Sequence, residues 1–207
     1  MRYACAALLA LWCLAFFCTE DARCETLSEA MNDVLTQVEE HPDDPEAQKR
    51  AGMGYLYLAR EVGDDPSRDV FGSLADFHLD QAAQLDPDDD ETLTMLAETA
   101  VLNQDPYKAA NVYEILVGRQ EDPAEGRYLV PLQSCYQWLM DPWRAVSFYR
   151  SQLERMPAWP QLEFLLAVTL LDIDRGEALE IMWKLAGSPD TPPELKKTVR
   201  AAIREES

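Results

Sequence analysis

The sequence predicts an all-α solenoid of about four helix-turn-helix repeats, closed by a C-terminal capping helix. Three observations carry this. Alanines recur at Ala75, Ala109, Ala145 and Ala178, spaced 34, 36 and 33 residues apart. A large apolar or aromatic residue follows one helical turn later each time, at Leu79, Tyr113, Tyr149 and Met182. Pro87 and Pro157 stand twelve residues after two of the alanines, where a residue without an amide proton ends a helix. Self-similarity at this period marks stacked helical hairpins.

The best-written stretch is Leu74 to Ala97. Its first half places Ala75, Leu79, Ala82 and Leu85 on one apolar face. Pro87 and the aspartates after it stop that helix. A second helix then places Leu93, Leu96, Ala97 and Ala100 together.

The N-terminus reads differently. Residues 1–22 combine Arg2 with an apolar run from Ala4 to Phe17, the layout of a secretory signal or an N-terminal anchor. The run is short for a spanning helix. Cleavage and retention both stay open, because Cys13-Leu-Ala15 would cut the run early and Glu20 spoils a site after Ala22. Export is common to both, which predicts a periplasmic protein or one held at the inner membrane by residues 3–18. Removal of the segment would leave Cys24 and Cys135. An oxidising compartment permits them to pair, but nothing in the sequence brings them together, and Cys135 also reads as a small core residue.

The repeat domain spans residues 23–205. Thr26-Leu-Ser-Glu29 is a capping-box pattern, opening a lone helix over 26–40 with Leu27, Met31, Val34, Leu35 and Val38 inward. The repeats follow at about 45–87, 88–122, 123–157 and 158–187. In the first, Gly52 and Ala75 are 23 residues apart, against 12 for Ala97 and Ala109 in the second. The helical pattern continues on both sides of Glu61–Arg68, so both helices should be lengthened into a projecting hairpin. In the third, Pro131 should kink the first helix or delay its start. The fourth carries Leu162, Leu165, Leu166, Val168 and Leu170, a turn over Asp172–Gly176, and a helix to about Leu185. A capping helix over 192–205 puts Leu195, Val199, Ala202 and Ile203 inward and Lys196, Lys197, Arg200 and Arg204 outward, as the end of a solenoid requires.

The formal charge of −20 argues against nucleic acid, whose phosphates demand basic stripes, and against unaided binding to anionic lipid. It favours a basic or neutral partner. Little points to catalysis. The two histidines, His41 and His78, sit in a proline-rich turn and on a helix, as surface or satisfied side chains do. No phosphate-cradling glycine loop, paired Cys-x-x-Cys or HExxH pattern occurs. Asp86, Asp88 and Asp90 imitate the start of a calcium loop, but the glycine and later carboxylate it needs are replaced by Glu91 and Ala97. No cofactor and no metal site is expected.

The small residue at Gly52 with Tyr55 three later, the matching pairs Ala97/Ala100 and Gln133/Tyr136, and the alanine series together resemble the tetratricopeptide repeat (TPR) family. Gln133 departs from the small residue expected. The resemblance covers about residues 26–205. It implies a right-handed solenoid whose first helices line a concave groove that binds a protein or peptide. Carried over by position, the groove residues are Lys49, Met53, Leu56, Tyr57, Thr94, Glu98, Val101, Arg127, Val130, Ser134, Gln137 and Trp138. Met53 stands where members that clamp a terminal carboxylate carry asparagine, so a groove for an apolar or amphipathic segment is expected instead. The expected role is a non-catalytic interaction scaffold of the cell envelope. The alternatives are a pilus or envelope assembly factor, or an accessory factor of cytochrome c maturation holding an apocytochrome. The His41-Pro-Asp-Asp-Pro-Glu-Ala-Gln48 segment and the elongated first hairpin are similar to the TPR parts of the latter. A spacer within a larger complex, or an enzyme with a hidden site, would be set apart by finding no bound peptide, or by turnover.

Overall fold

The computed structural model describes residues 31–122 and 126–206. All regular structure among them is helical, and consecutive helices pack on one another as in a solenoid of helical repeats. The signal or anchor segment, the capping box and Cys24 lie outside the described residues. The described residues fall into two compact units, divided between Thr92 and Leu93.

In the first unit, helix α1 covers residues 31–40, α2 Pro45–Glu61 and α3 Ser67–Leu85. Asp44 caps α2, its carboxylate accepting from the Glu46 amide at 3.0 Å. Pro45 takes the first helical position, where no amide proton is needed. At 17 and 19 residues, α2 and α3 are longer than the helices that follow, which have 11 to 14. The insertion therefore lengthens both helices, as expected. Ala59 and Gly72 are buried within the extension, so it is packed along its length. Gly63 turns the chain at φ +60°, in the left-handed region that glycine enters without strain.

The two helices close tightly at Gly52. A Cβ there would lie 2.5 Å from Leu79 Cγ, so only glycine fits the crossing. Leu79 and Ala75 are fully buried, and Ala82 nearly so. Leu85, on the last turn of α3, is 40% exposed and leaves the face assigned to it. Beside the crossing, Tyr55 stacks on His78 with centroids 5.6 Å apart. The Gln48 amide donates to the Pro42 carbonyl at 2.9 Å. Its oxygen is thereby turned towards His78 Nδ1 at 2.8 Å, which fixes the ring as the donor.

Helix α4 covers Asp90–Leu102. In the second unit it is followed by α5 Pro106–Arg119, α6 Leu129–Leu139, α7 Pro142–Arg155, α8 Pro160–Leu170, α9 Arg175–Gly187 and α10 Pro193–Glu205. Ala109, Ala145 and Ala178 are fully buried, with Tyr149 and Met182 likewise and Tyr113 nearly so. Each second helix opens on an aspartate four residues before its alanine. Asp105, Asp141 and Asp174 accept from the amides of Lys108, Arg144 and Glu177, all at 3.0 Å. Such a cap is worth about 1 kcal/mol.

Two layers result. Helices α5, α7 and α9 are tied side by side by Arg144–Glu114 at 2.7 Å and Arg150–Glu177 at 2.7 Å. Arg155 of α7 donates to the Gln120 carbonyl just past α5, at 3.1 Å. Helices α4, α6 and α8 form the other layer. The Thr94 and Tyr128 hydroxyls meet at 3.0 Å, and Gln133 reaches Thr169 at 3.5 Å. Gln133, the departure from the small-residue pattern, also accepts from the Tyr149 hydroxyl at 2.5 Å. The polar side chain is thus satisfied at the crossing by a hydroxyl that Leu79 and Met182, at the matching positions of their repeats, lack.

Pro131 delays α6 rather than kinking it: the helix begins at Leu129, which puts Pro131 in its first turn. In α9, Arg175 and Gly176 belong to the helix and not to the preceding turn, because Asp174 is the cap. Helix α10 covers a cluster of Ala167, Met182, Leu185 and Ala186 with Val199 and Ile203, while Lys197, Arg200 and Arg204 are exposed.

A candidate partner-binding face on the first helices

Helix α6 packs through Leu129, Leu132, Cys135 and Tyr136. Val130, Ser134, Gln137 and Trp138 occupy the opposite side and all are exposed. Their spacing keeps them on one face, since 3.6 residues complete a turn. Val130 is 69% and Trp138 50% exposed, whereas Tyr136, two residues before the tryptophan, is 2% exposed. The Ser134 hydroxyl is turned back onto the Val130 carbonyl at 3.0 Å, so this face offers apolar area with little competing polarity. Val101, at the end of α4, is also exposed in the second unit.

In the first unit, Met53 and Tyr57 stand one turn apart on α2 and are each about half exposed (49% and 50%). Leu56, between them in sequence, is buried and packs inward.

Four further residues assigned to the groove are used otherwise. Lys49 Nζ lies 2.6 Å from Glu91 and 2.9 Å from Asp89, with Glu46 at 3.8 Å, and its side chain is only 15% exposed. The hydrogen bond to Glu91 raises its pKa above the ordinary lysine value, against the opposing effect of burial. Burial alone would raise the Asp89 carboxyl, but hydrogen bonds from Thr92, Lys49 and the Glu91 amide outweigh it and hold the pKa at about 2. Lys49 is an internal tie between α2 and the start of α4, not a free cation for a ligand. Asp89 also accepts from the Glu91 amide at 3.0 Å. Arg127 lies before α6 and not on it, because Pro131 fixes the helix start; its guanidinium sits over the Tyr128 ring at 4.5 Å. Thr94 is half-buried and engaged with Tyr128. Glu98 is half-buried, and its charge, after burial, helps push the Tyr113 phenol up to about 12.

Three buried groups have shifted pKa values. Burial pushes the Cys135 thiol up and so keeps it protonated. Burial lowers the pKa of His78, which is walled by Tyr55, Phe77 and Gln48. Burial first, and then the hydrogen bond to Glu114, raises Tyr136. Among the described residues no group of three or more His, Cys, Asp or Glu side chains could hold a metal ion, and no helix is long and apolar enough to cross a membrane.

Sequence reasoning missed the exposed edge formed by the openings of the second helices. Tyr107 and Trp143 each stand two residues after a capping aspartate and are exposed. Met140, before Asp141, is 86% exposed with φ 51°. The recurring Asp-Pro dipeptides at 105 and 141 were the available signal. No family model matches the chain, and the comparison with curated proteins returns no match.

Proposed function

We propose that this chain is an exported, TPR-like, non-catalytic scaffold that binds a protein or peptide partner in a concave groove lined by its first helices. The observation that carries the reading is the α6 face: Val130 and Trp138 hold large apolar side chains in solvent on a helix whose other side is fully packed. A tryptophan loses little rotamer freedom on binding, and aromatic anchors of this kind dominate interface energies. The net charge of −20 favours an amphipathic segment that carries basic residues. In the first unit, Met53 and Tyr57 offer a second apolar pair of the same type.

The long α2–α3 hairpin favours one narrower reading, an accessory factor of cytochrome c maturation, through the likeness of its opening segment to those proteins. The test is common to both. The full chain and its Trp138→Ala variant serve as baits for envelope extract, and the recovered partner is titrated against each. Expected is a loss of roughly 1–3 kcal/mol of binding energy with an unchanged melting temperature. Equal affinity in a stable variant overturns the α6 face, and a large fall in melting temperature makes Trp138 a packing residue.

A further inference from the structure

The last helix pair leaves a cleft of about 490 Å³ lined by Trp183, Ala186, Gly187, Arg200, Ile203 and Arg204. Ala186 and Ile203 are buried at its floor, and Trp183 stands at its edge, 61% exposed. Both guanidinium groups are placed by bonds to neutral acceptors. Arg200 donates to the Ala186 carbonyl at 3.3 Å, and Arg204 to the Arg200 carbonyl at 3.1 Å. Neither makes an ion pair among the described residues, whereas Lys49, Arg50, Arg144, Arg150, Arg175, Lys184 and Lys197 all do. The chain has 38 acidic residues against 18 Lys and Arg. Two neighbouring arginines without a carboxylate, over an apolar floor, give this cleft a field opposite in sign to that of the whole molecule.

We propose that the α9–α10 cleft binds a short acidic, amphipathic segment of another protein. One large apolar side chain seats against Trp183 and Ile203, and flanking carboxylates pair with Arg200 and Arg204, whose planar forks suit carboxylate oxygens. An anionic bilayer is the competing occupant, and the charge balance disfavours it. A membrane surface faces much of a protein of net charge −20 and is repelled, whereas a short segment feels mainly charges within a screening length of about 8 Å. The site is separate from the α6 face, so either can fail alone.

The probe is a fluorescein-labelled peptide, Glu-Asp-Leu-Phe-Asp-Glu, titrated into the full chain by anisotropy. Its controls are Glu-Asp-Ser-Ser-Asp-Glu, Lys-Lys-Leu-Phe-Lys-Lys, and phosphatidylglycerol vesicles. Expected is saturable binding of the first peptide, weakened roughly tenfold in Arg200→Gln/Arg204→Gln and also in Trp183→Ser, but not in Trp138→Ala. Trp183 is exposed, so its variant keeps the test alive if the arginine pair proves necessary for folding. Equal binding of the serine or lysine peptide overturns the proposal, as does affinity unchanged in both cleft variants. Vesicle binding in the absence of peptide binding assigns the cleft to lipid and overturns it as well.

Discussion

Gly52 and Gly54 lie on the same helix, two residues apart, and their substitution should have different costs. A Cβ on Gly52 meets Leu79 Cγ at 2.5 Å and the Leu79 backbone amide at 3.1 Å, and neither can move without shifting α3. Gly52→Ala should therefore destabilise by about 1–3 kcal/mol through overpacking, despite alanine's better helix propensity. A Cβ on Gly54 meets Met31 Sδ at 2.5 Å, the far end of a flexible side chain. Gly54→Ala should be close to neutral in urea denaturation. Equal losses in the two variants would mean that the crossing does not lie at Gly52. His78 gives a second residue-scale expectation. Its folded pKa lies below the ordinary histidine value because burial disfavours the cation. Stability is then complete above about pH 6.5 and falls below it, as the unfolded chain takes up a proton that the folded one resists. The melting temperature should drop between about pH 7 and pH 5, with a smaller slope in His78→Gln. An NMR titration giving His78 a pKa above 6.5 would contradict the burial.

At the scale of elements, the α4–α5 and α6–α7 turns follow one rule. The aspartate amide closes onto a carbonyl five residues back, Asp105 on Ala100 at 2.8 Å and Asp141 on Tyr136 at 3.2 Å. The residue before each, Gln104 or Met140, has positive φ, and the aspartate side chain then caps the next helix. Asp141→Ala should cost about 1 kcal/mol. Met140→Gly should stabilise by roughly 0.5–1 kcal/mol, since left-handed backbone disfavours a side chain. Thermal melts check both, and a destabilised Met140→Gly would mean that the exposed methionine makes a contact the fold requires. The repeat core was legible in sequence because alanines at helix crossings and a large residue one turn on repeat locally. The start of α6 was half legible: Pro131 limited it to a kink or a late start, and packing of Tyr128 and Leu129 decided between them. The fate of Lys49 was not legible, since its partners Asp89 and Glu91 come from a helix start some forty residues on, which only tertiary packing brings near. The α9–α10 cleft was hidden for the same reason, as its arginines read simply as the polar back of a capping helix.

For the whole molecule, the charge sets the frame. A chain of −20 repels anionic partners except where basic groups are collected, and among the described residues large apolar side chains such as Val130, Trp138 and Trp183 stand exposed on helix faces. The most direct measurement of the binding claim is site-specific photocrosslinking with benzoylphenylalanine placed in turn at Trp138, at Val130 and at Ile115. Ile115 is exposed on α5, in the other layer. If the first helices carry the partner, a single adduct of defined mass forms from Trp138 and Val130 in envelope extract and none forms from Ile115. An adduct from Ile115 alone, with none from Trp138 or Val130, would contradict it.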